Sequence, residues 1–260
     1  MGANATERDI LRTIVKRILP VFPLIVILLI WEATVIRFAV PLYVLPAPSK
    51  VLSSLWLHRR VIAGHAIITL GEALLGLGVA SILGCVLAML MDAYPLFRAL
   101  IHPLLVASQS VPMLVLAPLF IIYLGFGMAP KVVTISLMCF FPIAVSFADG
   151  LGEADKRIVD LIRQMGASKW QIYKFAKIPN ALTSLFSGLH VAATYSVLGA
   201  VVGEWLGGEG GLGFYMLRVK NTYMLDRVFA VVLVIILLSI SLNIIFGLLK
   251  KKLAPWSGYK

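Results

Sequence analysis

Residues 228–249 read VFAVVLVIILLSISLNIIFGLL, a run in which the polar residues are Ser239, Ser241 and Asn243. A helix of about 20 mostly apolar residues crosses the hydrocarbon core of a bilayer. This stretch therefore predicts a transmembrane helix. The composition of the whole chain agrees, because 60% of its 260 residues are hydrophobic and 13% are charged, whereas soluble domains carry about 25% charged residues.

Five other stretches are long and apolar enough to span a membrane. They lie at residues 18–40, 67–91, 104–124, 131–149 and 181–203. With 228–249 they predict an all-α, polytopic membrane helix bundle of six transmembrane helices that occupies residues 18–249. Residues 1–17 precede it as a cytoplasmic N-terminal segment, and residues 250–260 follow it as a basic cytoplasmic tail.

The basic residues orient the predicted spans. Of the 23 Lys and Arg residues, fifteen lie on the side that holds both termini and eight on the other side. The positive-inside rule therefore predicts that both termini are cytoplasmic. The net charge of +11 is explained by cytoplasmic loops that face anionic membrane lipid, and we predict no nucleic-acid partner.

Polar groups suited to catalysis or metal binding are scarce. Cys85 and Cys139 both lie inside apolar runs, which excludes a disulfide framework and a zinc site, so we predict no metal. His190 and Ser196 share one span, but six residues place them on nearly opposite helix faces. The sequence therefore predicts no catalytic residues.

Two spans contain small residues at four-residue spacing, which places them on one helix face. The residues are Gly76, Ala80 and Gly84 in the second span, and Gly188, Ala192, Ser196 and Ala200 in the fifth. Small residues let helices approach closely in lipid, so these faces are predicted to contact other helices, within the subunit or across a dimer. The alternative is that membrane helices are simply rich in Gly and Ala.

The third span contains the polar and bent sequence Ser108-Gln109-Ser110-Val111-Pro112, followed by Pro118. Prolines bend helices, and a polar bend at membrane depth faces protein or a water-filled cavity. The candidates for lining a solute pathway are Ser108, Gln109, Ser110, Pro112, Tyr195 and Glu204. Alternatively, the hydroxyls bond their own helix and Gln109 bonds a neighbouring one.

The cytoplasmic loop 150–180 has the pattern of two helices. Ile158, Leu161, Ile162 and Met165 recur at helical spacing, and Gly166 follows where a left-handed cap would lie. Ser168 with Gln171 predicts a capping box that begins a second helix, and Pro179 is predicted to end it. The pair could lie on anionic lipid or be gripped by a cytoplasmic partner. The defined spacing from glycine to proline favours the partner.

That spacing resembles a motif of the permease subunits of binding-protein-dependent ABC importers. The motif has Glu-Ala-Ala, three residues, Gly, nine residues, then Ile-x-Leu-Pro. Gly166 and Pro179 are thirteen residues apart, as the motif requires, and Ile178 takes its Leu position. The Glu-Ala-Ala position is occupied by Asp160, Leu161 and Ile162.

Six other strings are similar, in the same order, to the nitrate/sulfonate/taurine-type permeases, a family that also includes hydroxymethylpyrimidine and riboflavin permeases. They are Val44–Ser49, Ser108–Pro112, Ala117–Phe120, Gly125–Gly127, Phe141–Pro142 and Gly203–Gly213. The resemblance implies a type I ABC importer permease fold in the bacterial cytoplasmic (inner) membrane. The substrate it implies is a small solute: nitrate, a sulfonate such as taurine, or a vitamin precursor.

The resemblance also implies partners. Two copies of a separate ATPase, which bind ATP and Mg, would grip the loop, a second permease copy would complete a homodimer, and an extracytoplasmic substrate-binding protein would deliver the solute. The chain itself has no G-x-x-x-x-G-K-[ST] sequence, so we predict that it binds no cofactor. The expected ATPase-coupling residues are Asp160, Leu161, Ile162, Met165, Gly166, Ala167, Trp170, Ile178 and Pro179.

An outer loop is unusually rich in glycine, at Gly207, Gly208, Gly210, Gly211 and Gly213. It is either a plain flexible loop or a turn beside the pathway, where close approach of the backbone forbids side chains. Two other functions stay open at this point. One is an ion-coupled secondary transporter, although the sequence shows no clear buried charges of the kind that such transporters need. The other is an intramembrane enzyme, although the sequence contains no metal-binding motif and no Ser–His pair.

Overall fold

The computed structural model describes residues 22–258, and their regular structure is entirely helical. The predicted N-terminal segment 1–17, residues 18–21 of the predicted first span and the last two residues of the tail lie outside the described residues. The helices are α1 (Phe22–Arg37), α2 (Pro48–Leu57), α3 (Arg59–Ala93), α4 (Pro95–Ser108), α5 (Met113–Leu124), α6 (Met128–Gly152), α7 (Lys156–Gln164), α8 (Lys169–Ile172), α9 (Ile178–Gly207), α10 (Leu212–Asn221) and α11 (Leu225–Leu253).

Four of these helices are long and apolar enough to cross a membrane. They are α3, α6, α9 together with the segment from Lys169 that leads into it, and α11. The predicted spans 67–91, 131–149, 181–203 and 228–249 lie inside them. The described residues therefore contain four continuous candidate spans, or five if one bent pair is counted.

The bent pair is the predicted third span, and the prediction of one kinked helix is wrong there. Helices α4 and α5 meet at 100° across the break at residues 109–112. Pro112 has no backbone N–H to continue the ladder and disfavours a helical conformation at Val111. The polar residues Gln109 and Ser110 therefore occupy a sharp turn between two short helices.

Within the described residues the predicted first span is represented by α1, which ends at Arg37. It is shorter than the predicted 18–40 at its C-terminal end. The carboxylate of Glu32 accepts hydrogen bonds from the backbone N–H (3.0 Å) and hydroxyl (2.6 Å) of Ser49, at the start of α2. The acidic side chain within this helix thus anchors α2.

The chain divides into two compact units, residues up to 59 with 218–232 and residues 60–217 with 233 onward. In the second unit, small residues bring α3 and α9 onto α6. A Cβ atom on Gly76 would lie 2.4 Å from Cγ2 of Ile135, and one on Gly188 would lie 2.6 Å from the carbonyl oxygen of Pro142. Both small-residue faces are therefore helix contacts within the subunit, which confirms that prediction.

Candidate functional site

The cytoplasmic segment between α6 and α9 begins with α7. Its N-cap, Asp155, accepts a hydrogen bond from the backbone N–H of Arg157 at 2.8 Å. Gly166 follows α7 with a φ of +83°, a left-handed conformation that favours glycine. The capping box between Ser168 and Gln171 is present at the start of α8. The predicted glycine cap and capping box are both confirmed.

An apolar surface on this segment faces outward. Ile158 and Leu161 on α7 are 50% and 58% exposed, Met165 at the C-cap of α7 is 78% exposed, and Trp170 on α8 is 68% exposed. Unpaired apolar side chains that cluster in this way mark interaction sites. We call these four residues the coupling surface.

The opposite side of the same segment forms a small core of its own. Val159 and Ile172 are buried there with Ala154, and Ile162, Ala167 and Ala176 pack against them. The predicted apolar stripe of α7 is thus divided between two roles, because Ile162 turns inward while its three companions stay exposed. This core holds α7 and α8 in a fixed relation across Gly166.

Asp160 lies on the exposed surface of α7. It pairs with Arg163 one turn later at 3.0 Å, and both side chains are more than half exposed. An exposed pair of this kind contributes little to stability. The carboxylate is therefore accessible to a partner protein at little energetic cost.

Pro179 does not end a helix, so that prediction is wrong. Residues Tyr173–Lys177 form a π-helical turn that leads directly into α9, and the N–H of Ile178 bonds the carbonyl of Tyr173. The proline occupies the first turn of α9, where a missing N–H is tolerated. The segment Lys169–Gly207 is consequently one continuous helical rod.

A buried acid that the sequence analysis missed ties this rod to α3. The ammonium of Lys177 donates to both oxygens of Asp92, at 2.9 and 2.7 Å, and the hydroxyl of Tyr173 donates to the same carboxylate. Tyr173 and Lys177 are four residues apart on one helix face, and Asp92 follows the apolar run of α3. A tyrosine and a lysine on one helix face, together with an acid at the end of an apolar run, were the signals in the sequence from which this contact could have been predicted. The contact links the cytoplasmic segment to a membrane helix.

At the other end of α9, Glu204 organises the glycine-rich turn. It is 1% exposed, and its two oxygens accept bonds from the Thr69 hydroxyl and the Gly213 N–H, both at 2.6 Å. The Thr69 oxygen accepts in turn from the N–H of Leu212 at 2.8 Å, and Nδ1 of His65 accepts from the N–H of Gly211 at 3.1 Å. The turn is therefore held by buried side chains and is not a plain flexible loop.

The glycines of this turn are required by close packing. A Cβ atom on Gly211 would lie 2.1 Å from the Glu204 carboxylate, and Gly211 also has a φ of +101°. Cβ atoms on Gly208 and Gly213 would lie 2.7 and 2.5 Å from backbone oxygens. Gly207 and Gly210 line an open cavity of about 370 Å³. The close approach of the backbone is therefore present, and the position of this turn beside the solute pathway stays a prediction.

A second buried charge pair lies in the same unit. The ammonium of Lys131 on α6 donates to Glu72 on α3 at 2.6 Å, and the two side chains are 9% and 2% exposed. Lys131 is one of the eight basic residues counted on the side opposite the termini, so this pair is not predicted from the sequence. Since Lys131 begins a predicted span and Glu72 lies near the start of another, no spacing rule in the sequence connects them.

The structure brings together two of the predicted pathway residues. Gln109 and Tyr195 line one cavity of about 320 Å³, which we call the membrane cavity. Its other lining residues are Val111, Met113, Met138, Phe141, Pro142 and Val191. Ser108 instead donates its hydroxyl to the carbonyl of Leu105 at 2.7 Å, Ser110 and Pro112 are exposed at the bend, and Glu204 belongs to the glycine turn.

Comparison with known proteins identifies the fold and family. The family model "Binding-protein-dependent transport system inner membrane component" matches residues 76–255. The chain belongs to this family. It is the multi-pass inner-membrane permease of an ABC importer, a transport subunit and not an enzyme, which excludes the intramembrane enzyme and the ion-coupled secondary transporter. Family membership also implies ATPase and binding-protein partners.

Curated relatives match the permease over most of its length. It is 34% identical to a "Probable ABC transporter permease protein" of Haemophilus influenzae, over 86% of this chain and 90% of the relative. It is also 34% identical to the "Formylaminopyrimidine transport permease protein ThiX" of Halalkalibacterium halodurans, over 91% of this chain and 95% of the relative. It is 27% identical to the "Taurine transport system permease protein TauC" of Escherichia coli, over 88% and 85%.

Two solved structures share the fold of the permease. One, titled "Crystal structure of an amino acid ABC transporter with histidines", has a TM-score of 0.63 at 15% identity and covers 76% of this chain and 97% of its own. The other is titled "Inward facing conformations of the MetNI methionine ABC transporter: CY5 native crystal form". It has a TM-score of 0.54 at 19% identity, and the match covers 74% of this chain and 96% of the solved chain. The described helices thus have the architecture of ABC importer permeases.

Proposed function

We propose that this permease receives a small heteroaromatic solute from its binding protein and passes it into the cytoplasm by alternating access. The single observation on which the energy coupling rests is the coupling surface, whose four large apolar side chains stand exposed on a rigid helical pair. ATP binding would close two ATPase subunits, which hold ATP and Mg, and move the two coupling surfaces together. This chain would bind no cofactor itself.

The contacts of the cytoplasmic segment support a mechanical role. A force applied to the coupling surface reaches α9 through the continuous helix from Lys169, and it reaches α3 through the bonds of Lys177 and Tyr173 to Asp92. Rigid elements joined by buried polar contacts move together. We infer that α3 and α9 tilt as one body when the ATPase subunits close.

We propose six spans with both termini in the cytoplasm, counting α1 with the residues before it as one span and the bent pair α4 and α5 as another. The membrane cavity lies on one side of a single chain and is open, so one copy provides half of a pathway. We therefore propose a homodimer of permeases with two ATPase copies and one binding protein.

The lining of the membrane cavity favours a neutral aromatic solute. Its lining residues include the aromatic side chains of Phe141 and Tyr195, the thioethers of Met113 and Met138, and the amide of Gln109. Rings and thioethers contact flat heterocycles well. Among the residues that the structure describes, no Lys or Arg lines this cavity to balance the charge of nitrate or a sulfonate. A pyrimidine-type vitamin precursor therefore fits better than taurine, in line with the relative whose name refers to formylaminopyrimidine.

The ATPase contact is tested by Leu161→Asn. Truncating a central apolar anchor of an interface costs at least about 1.4 kcal/mol, or tenfold in affinity. We expect about a tenfold loss of ATPase subunits co-purified with the permease and a matching loss of uptake. Gln164→Asn, on the same helix but outside the coupling surface, is the matched control. Equal ATPase recovery from Leu161→Asn and wild type would contradict the proposed coupling.

The solute class is tested by Tyr195→Ala. Loss of a stacking aromatic costs about 1–1.5 kcal/mol, so we expect uptake of a pyrimidine to fall about tenfold while the ATPase still co-purifies. Leu198→Ala removes a large exposed side chain of α9 that does not line the cavity, and it should leave uptake unchanged. Thermal shifts of the binding protein with pyrimidines, taurine and nitrate provide the second readout. Stabilisation by taurine or nitrate alone would exclude the aromatic solute.

A further inference from the structure

A large basic crevice lies between α9 and α11, and none of its described lining residues belongs to the membrane cavity or to the coupling surface. Ser187 and His190 line it from α9, and Gly247, Lys250 and Lys251 line it from α11. Its volume is about 710 Å³, within the range of about 300–1,000 Å³ that is usual for small-molecule sites. The function proposed above makes no use of it.

The crevice lies at the end of α11 that is near the cytoplasmic segment. The amide of Asn243 donates to the hydroxyl of Thr194 at 3.0 Å, and a Cβ atom on Gly247 would lie 3.6 Å from Nε2 of His190. Contacts thus move from Asn243 to Gly247 along α11 while they move from Thr194 back to His190 along α9. The two helices are therefore antiparallel. The C-terminal end of α11 is therefore on the side where α9 begins.

The depth of the crevice matches the polar headgroup layer. The apolar run of α11 ends at Leu249, and three lysines follow it immediately. The crevice is formed where this change occurs, with Gly247 on the apolar side of the boundary and Lys250 and Lys251 on the polar side. A bilayer places the phosphate groups of its lipids at this level.

The lining chemistry is complementary to a phosphodiester that carries hydroxyl groups. Lys250 and Lys251 supply two ammonium groups, and no Asp or Glu lines the crevice within residues 22–258. Nδ1 of His190 lies 2.7 Å from the carbonyl oxygen of Phe186, which can only accept, so Nδ1 carries the proton. In this tautomer Nε2 can accept a hydrogen bond from a headgroup hydroxyl, and the Ser187 oxygen is another acceptor.

We propose that this crevice binds the headgroup of an anionic phospholipid of the phosphatidylglycerol type. The two ammonium groups hold the phosphate, and His190 and Ser187 accept hydrogen bonds from the glycerol hydroxyls. The crevice is open at the membrane boundary, where lipid is the abundant source of phosphodiesters, and we therefore assign it to lipid and not to a free phosphate. The proposal depends on the placement of α9 and α11 in the membrane, and it is independent of the solute and of the ATPase contact.

The lysines offer a matched comparison. The two crevice lysines, Lys250 and Lys251, are each three or four residues from Gly247 and Ala254. Residues at this spacing share one face of a helix, which here is the crevice face of α11. Lys252 carries the same charge at the same depth but does not line the crevice. If the lysines only obey the positive-inside rule, all three are equivalent. If the crevice binds a headgroup, two of them differ from the third.

The test measures lipid retained by the permease–ATPase complex, using native mass spectrometry in detergent micelles doped with phosphatidylglycerol or with phosphatidylcholine of the same acyl chains. We expect wild type to retain phosphatidylglycerol preferentially. Lys250→Gln and Lys251→Gln should each lower that retention about fivefold, whereas Lys252→Gln should change it less than about twofold. Gly247→Leu, which fills the crevice without altering charge, should also lower retention, because the leucine side chain occupies space that the headgroup needs.

Three outcomes would overturn the proposal. They are equal retention of the two lipids by wild type, an equal loss with Lys252→Gln and Lys251→Gln, and release of phosphatidylglycerol by inorganic phosphate, which would identify a free anion as the ligand. Thermal melting of each variant shows whether it is folded. If Lys250→Gln or Lys251→Gln melts early, Lys250→Arg or Lys251→Arg is measured in its place, and it should retain phosphatidylglycerol as wild type does.

Discussion

Gly211→Ala should destabilise the folded permease by about 3–5 kcal/mol while leaving its insertion into the membrane intact. The new Cβ atom would lie 2.1 Å from the Glu204 carboxylate, so the buried acid must move and lose its bonds to Thr69 and Gly213. Hydrogen bonds to charged groups contribute about 1.5–3 kcal/mol, and a left-handed non-glycine residue adds about 1–3 kcal/mol of strain. Insertion depends on the apolar spans, which are unchanged.

The readouts for Gly211→Ala are the thermal unfolding midpoint of the purified permease, its abundance in membranes and solute uptake. Gly64→Ala on α3 is the matched control, since nothing lies within 4 Å of a Cβ atom at that position. Alanine is favoured over glycine inside a helix by about 0.5–1 kcal/mol, so the control should melt at or above the wild-type midpoint. A wild-type midpoint for Gly211→Ala would show that the turn is not anchored by Glu204.

Lys131→Met should have an effect of similar size for an electrostatic reason. The substitution leaves the carboxylate of Glu72 buried without the ammonium that lies 2.6 Å away. Removing one partner of a buried ion pair costs about 3–5 kcal/mol. We expect a large fall in the unfolding midpoint and in the abundance of the permease in membranes.

A double variant separates the charge from the packing. In Lys131→Met with Glu72→Gln both charges are absent, so much of the lost stability should return, because well-packed neutral groups often replace a buried pair at little cost. Lys220→Met, at an exposed position, is the control and should change stability by less than about 0.5 kcal/mol. If the double variant is as unstable as Lys131→Met alone, the pair does not act through its charge.

Local signals in the sequence were sufficient for the cytoplasmic segment. The cap at Gly166 and the capping box at Ser168 depend on residues within one turn of each other, and the structure has both. The helix end predicted at Pro179 was wrong because a proline is tolerated in the first turn of a helix. The π-helical turn Tyr173–Lys177 leads directly into α9, so Pro179 lies in the first turn of α9. Whether a proline ends or begins a helix depends on hydrogen bonds made on both sides of it.

The polar contacts across the bundle could not be predicted in the same way. The partners Glu72 and Lys131 are 59 residues apart, and Thr69 and Glu204 are 135 residues apart. Lys131 is counted with the basic residues outside the membrane, because a charged side chain inside the hydrocarbon core is costly unless it is paired. The one available hint was that Thr69 and Glu72 are three residues apart on one face of α3, which the sequence analysis did not use.

The sequence by itself determined that this protein is an all-helical membrane protein, where four of its spans lie, where its cytoplasmic helical pair turns, and which small residues form contact faces. These properties follow from the bilayer, which demands long apolar runs, and from the 3.6-residue period of the helix. Only the tertiary structure decided that span three is broken by 100°, that Glu204 holds the glycine turn, and that Asp92 ties the coupling segment to α3. The physical reason is that each of these depends on side chains or backbone groups brought together by packing, and packing partners distant in the chain leave no periodic signal in it.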